Sequence, residues 1–160
     1  MIAGLGRSGP VRAAALALCL GPCAVGAAAL EALDDAGAVV VAVALPADGR
    51  WCLVWNHSVT GEEVRDCFRT EADALILERS HQIDFSSAGL GHIPGRGTVV
   101  PDPQGGQWIE GIDAAIRGGA LPLRVGAMAV DHRIEADGVV TSLSAVAAGR
   151  RVTIQAGDAP

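Results

Sequence analysis

The sequence predicts an all-β domain, an antiparallel sandwich or barrel-like fold, behind an N-terminal signal helix. Two observations point to the β domain: short β-branched runs recur every 8 to 14 residues, and Gly, Pro and Asp-Gly turn signals separate them. A third, a charge-poor leader of export type, sets residues 1–29 apart from a single domain over 30–160. At 160 residues the chain suits one domain, and no internal repeat is visible.

The leader has three parts in export order. Met1–Arg12 carries Arg7 and Arg12, Ala13–Leu20 is an apolar helical run, and Gly21-Pro22 breaks it. Ala27-Ala28-Ala29 then fits a small-x-small cleavage site. The apolar run is shorter than the ~20 residues a bilayer span needs. The expected destination is the periplasm; an uncleaved leader anchored in the inner membrane is the alternative.

Beyond the leader, Glu31–Ala36 reads as a short polar start and Ala38–Leu45 as a continuous β-branched strand buried on both faces. Pro46-Ala47-Asp48-Gly49 is a turn in which Pro presets φ and Gly accepts a positive φ. Arg50–Asn56 and Val64–Thr70 read as the two arms of a hairpin turning over Ser58–Gly61. Ala74–Glu78 is the next strand, with Ile83–Phe85 continuing it or forming a further one. Residues 86–106, rich in Gly and Pro, read as one long loop of the kind that carries function. Trp108–Ile116 fits a strand or a helical turn equally well. Leu121–Val130, Val139–Val146 and Arg151–Gln155 complete the domain as strands, with a turn at Asp137-Gly138.

Composition excludes some partners. All 12 basic residues are Arg, and without the leader ten of them face 18 acidic residues, a net charge of −8. An acidic chain with no basic run is a poor match for phosphate backbones, so no nucleic acid is expected. Membrane association is expected only through the signal sequence or a partner.

Cys19 and Cys23 lie in the leader, so Cys52 and Cys67 are left for an oxidising compartment. If the hairpin turn centres on Val59-Thr60, Cys52 falls opposite Cys67, as a cross-strand disulfide requires. Two buried free thiols are the alternative. No metal or other cofactor is expected: His57, His81, His92 and His132 have neither HxH nor HxxxH spacing, and CxxC, GxSxG, GxxxxGK[ST] and HExxH are missing. His57 and Ser58, adjacent on an extended chain, point to opposite sides and cannot relay a proton to each other.

Trp55-Asn56-His57-Ser58-Val59, the acid Asp66, Ser87-Ala88-Gly89-Leu90-Gly91 and Leu121-Pro122-Leu123-Arg124-Val125-Gly126 together carry a family pattern. The chain resembles the domain-of-unknown-function 1850 family, small exported bacterial proteins, from about Ala38 to Ile154. Asp66 stands where that family favours Glu, Ser87 replaces its first glycine, and Gly91 stands where Pro is common. The resemblance implies genes beside TAXI-type TRAP transporters. It therefore implies an accessory role in solute uptake, with transporter subunits or the solute-binding protein as partners, and it implies no activity. The candidate ligand-binding residues are His57, Ser58, Asp66, Ser87, Ala88 and Gly89. A small enzyme using His57 and Asp66, and a purely structural sandwich, are the competing readings.

Overall fold

The computed structural model describes residues 28–83 and 97–158. The leader through residue 27, Phe85, Ser87, Ala88, Gly89 and His92 lie outside the described residues. The architecture is two antiparallel sheets packed face to face, a sandwich and not a closed barrel.

The smaller sheet has four strands: β1 (Ala28–Asp34), β2 (Val39–Ala44), β9 (Ala120–Arg124) and β12 (Arg151–Asp158). Their order is β2-β1-β12-β9. β1 begins two residues inside the predicted leader, pairing Ala28 with Asp158 and Ala29 with Gly157. The larger sheet contains β3 (Arg50–Asn56), β4 (Glu63–Glu71), β5 (Ala74–Gln82), β6 (Thr98–Pro101), β7 (Gln107–Glu110), β8 (Ala114–Ala115), β10 (Arg133–Ala136) and β11 (Val139–Ser142). Its order is β11-β10-β3-β4-β5-β7-β6, with β8 pairing with β5 as well.

Several elements depart from the sequence expectations. Glu31–Ala36 belongs largely to β1, whose Leu30 and Ala32 face the core while Glu31 points away. β2 is an edge strand with Val39 about half exposed, so its apolar run is not buried on both faces. The expected long loop contains β6, and the strand expected over Leu121–Val130 stops at Arg124. The Val139–Val146 run ends at Ser142 and continues as helix α1 (Ser144–Ala147). β10 was not expected at all.

The core lies between the sheets. Leu30, Ala32, Val43, Val152 and Ile154 come from the smaller sheet, and Trp51, Leu53, Phe68, Leu75 and Ile134 from the larger. Leu143 and Ala147 of the α1 segment seal one side. Trp51 stacks on Phe68 with ring centroids 4.6 Å apart, and its indole N–H donates to Thr70 Oγ1 at 3.1 Å. The turn before β3 needs its glycine: at Gly49 (φ +66) a Cβ would lie 2.5 Å from the Thr70 carbonyl oxygen.

Candidate functional site

The β3–β4 hairpin carries His57, Ser58 and Asp66 of the predicted site together with both cysteines. Cys52 pairs with Cys67 in register, and the two form a disulfide with Cα atoms 4.0 Å apart. Backbone bonds from His57 N–H to Glu62 O and from Thr70 N–H to Gly49 O fix which pairs are hydrogen-bonded. By alternation Cys52–Cys67 is a non-hydrogen-bonded pair, the closer of the two classes. Trp51 and Phe68, one step along, face the core, so the disulfide lies on the outward face of the larger sheet. It floors a groove of about 400 Å³ between Arg50, Arg79, Glu135 and Val140.

That outward face is laced with ion pairs. Arg65 bridges Glu63 and Glu135, Arg133 reaches Glu63, Glu135 and Asp131, and Arg69 contacts Glu71, Glu78 and Asp113. Further along, Arg79 lies 4.3 Å over the Trp108 ring. The Trp108 indole N–H donates to Asp102 Oδ2, which also lies 3.3 Å from His81 Nε2. These groups are largely committed to one another and hold β5, β6 and β7 together.

His57 sits at the end of β3 and shapes its own turn. Its Nδ1 accepts from the Thr60 N–H at 3.3 Å, and its carbonyl accepts from the Gly61 N–H at 2.8 Å. Ser58 and Val59 are therefore displayed at a fixed tip, Val59 at 84% exposure. Asn56 ties a second loop beside the tip: its backbone N–H donates to Val130 O at 2.7 Å and its side chain to Ala129 O at 3.4 Å. This loop, residues 126–132, exposes Met128. His132 pins it from behind, stacking on Trp55 and accepting the Gly126 N–H at Nδ1, 2.9 Å away. Burial lowers the His132 pKa and Asp131 pulls it back up. Ser144 Oγ accepts from the His132 backbone N–H and donates to Gly126 O, so its bonds go to the main chain and not to the imidazole.

Asp66 occupies a different place. It alternates with Val64 and Phe68 on the core-facing side of β4, opposite Leu53 on one side and Ser80 on the other. Burial raises its pKa, and hydrogen bonding with Ser80 opposes the shift. Gln82, diagonal to Asp66, is 3% exposed, and its Oε1 has no hydrogen-bond partner among the described residues. The stretch from the His57–Glu62 pair to Asp66 covers four residues, roughly 13 Å of strand. His57 and Asp66 are thus not brought together as an acid–base pair. Among the described residues, no group of three His, Cys, Asp or Glu side chains converges as a metal site.

The raised pKa has a stability consequence. A carboxyl whose folded pKa lies above its unfolded value contributes fully below the unfolded value, here near 3.8, and that contribution is lost as pH rises through the folded pKa. Asp66→Asn removes the buried charge and keeps the shape. It is expected to be the more stable form at neutral pH by about 1 kcal/mol and to lose that advantage in acid. Urea unfolding of both proteins at the two pH values is the check, and an equal loss of stability at both would contradict the assignment.

What the site and fold define is a class: a disulfide-stapled, two-sheet β-sandwich with a hydrogen-bonded hairpin tip. The chain belongs to the family described as Domain of unknown function (DUF1850), whose model matches residues 52–143, more than half its length. The match starts at the first cysteine of the disulfide and ends at the core-sealing Leu143. No curated protein and no solved structure matches the chain.

One further feature was not legible in the sequence. Folding brings Arg124 next to Arg150 and Arg151, residues far apart in the chain. The adjacent Arg150-Arg151 was the available signal.

Proposed function

We propose that this domain is a non-catalytic accessory module of a TRAP-type solute transporter, working in the periplasm and docking to a transporter subunit. The end of the sandwich formed by the 57–61 turn and the 126–132 loop makes the contact. The observation that carries the reading is Val59, a large apolar side chain 84% exposed on a turn that His57 ties by hydrogen bonds. Exposed Met128 on the tethered neighbouring loop, and Ile83 where β5 leaves the same end, extend the apolar surface. Apolar groups presented on an ordered scaffold favour partner binding, because little conformational freedom remains to be lost on docking. The resemblance to a family encoded beside TAXI-type transporters supplies the partner class.

The test is co-purification with the subunits of a TAXI-type TRAP transporter. Val59→Asp is expected to weaken association by about tenfold or more, the cost of burying a charge at an apolar contact. Val139→Asp, at another exposed valine at the opposite end of the larger sheet, is expected to bind like the parent protein. Unchanged association of Val59→Asp, or equal loss in both variants, would overturn the docking site.

A further inference from the structure

Arg124 and Arg151 stand directly opposite each other, the former at the end of β9 and the latter at the start of β12. Directly opposed residues of an antiparallel pair put their Cβ atoms about 4.5–5.5 Å apart, and like charges there are destabilising. Leu123 and Val152, the next pair inward, pack toward the core, so both guanidinium chains rise from the outward face of the smaller sheet. Both residues are exposed.

The pair is also uncompensated in an acidic protein. Six of the nine described arginines are ion-paired: Arg50, Arg65, Arg69, Arg79, Arg133 and Arg150. Arg150, the chain neighbour, is held by Asp34 at 2.7 Å. Neither Arg124 nor Arg151 reaches a described carboxylate within ion-pair distance, although the chain carries 18 acidic residues. Two hollows, of about 290 and about 400 Å³, flank the pair, and both are lined by Arg124 and Arg151. The Thr153 side chain lines the first, beside Pro122. Asp35 borders both hollows and is the acid nearest in sequence to Asp34, which is already engaged by Arg150.

We propose that Arg124 and Arg151 form an oxyanion-binding site that takes a phosphate or carboxylate group between their two guanidiniums. Planar guanidinium forks match such groups bidentately, and a bound anion converts a repulsive pair into two attractive ones. Thr153 offers a neutral donor beside the first hollow, while the Asp35 carboxylate, which borders both, disfavours negative charge beyond the group held by the two guanidiniums. The site lies on the smaller sheet, and it stands independently of the docking role proposed for the hairpin tip.

The probes are inorganic phosphate, succinate, and vesicles of phosphatidylglycerol against phosphatidylcholine. Phosphate or succinate is expected to raise the unfolding temperature of the purified protein saturably, as a ligand of the folded state does. Arg124→Gln and Arg151→Gln are each expected to weaken that binding by about tenfold, while Arg117→Gln, which removes an uncompensated arginine elsewhere, leaves it unchanged. Neither variant should unfold below the parent at low salt without anion, because each relieves a repulsion. If the free anions fail and phosphatidylglycerol vesicles bind in an Arg124- and Arg151-dependent way, the ligand is a lipid headgroup and the site stands. No binding of any probe, or equal loss with Arg117→Gln, overturns it.

Discussion

Reducing the Cys52–Cys67 disulfide is expected to cost about 3 kcal/mol of stability without changing the strand register. A cross-link closing a 15-residue loop removes conformational entropy from the unfolded chain and so raises its free energy by about that much in the chain-entropy model. Against a total of roughly 5–15 kcal/mol for a domain, the loss is large. The register survives because the same two strands are paired from Arg50–Arg69 to Asn56–Glu63, and the bond bridges a pair that shares no backbone hydrogen bond. Urea unfolding of the parent protein with and without reductant, beside Cys52→Ala/Cys67→Ala, measures it. The double variant and the reduced protein should unfold at similar, lower urea, with similar far-ultraviolet circular dichroism. No shift with reductant would mean that the staple adds nothing to the hairpin's own stability.

That disulfide was legible in the sequence because its geometry is local. A turn over Ser58–Gly61 sets the register, the register sets the pair, and both decisions fall within one hairpin. The tip behaves similarly, since His57 bonds only to its own turn. Elements that depend on distant partners were not legible. β10 is four residues, Arg-Ile-Glu-Ala, whose only apolar signal is Ile134 and Ala136; it becomes a strand by pairing with β3 and β11. β1 alternates correctly, but Glu31 and Asp34 gave it the look of a polar lead-in, and its pairing with β12 joins opposite ends of the chain. The run from Val139 breaks at Ser142 because Leu143 is drawn into the core and Ser144 is engaged by His132 and Gly126, a tertiary demand that outweighs β propensity. The site divides along the same line. The turn at the tip followed from its local sequence, whereas the core-facing setting of Asp66 and the meeting of Arg124 with Arg151 required the sheet order.

Replacing Trp51 is expected to have the largest single effect on the molecule. The sequence has five aromatic side chains and no tyrosine, so few residues can fill the centre of the sandwich. Trp51 does so at 2% exposure, stacked on Phe68 and bonded through its indole N–H to Thr70. Trp51→Ala deletes the ring, leaves a cavity that neighbouring valines and alanines cannot fill, and strands the Thr70 hydroxyl. Truncations of this kind cost about 3–5 kcal/mol. Trp51→Phe keeps a stacking partner for Phe68 and is expected to lose less, with Thr70→Val isolating the hydrogen bond at about 1 kcal/mol. Urea midpoints at constant slope give the three values. A Trp51→Ala cost no larger than that of Trp55→Ala, at a half-buried position, would mean the core can collapse around the gap. Combining Trp51→Ala with disulfide removal tests whether the two act on the same hairpin. Trp51 and Cys52 are chain neighbours facing opposite sides of one strand pair, so their effects should fall short of additive if the staple mainly preserves the arm that Trp51 anchors. Strict additivity would place the disulfide's contribution wholly in the unfolded chain, independent of the packing beneath it.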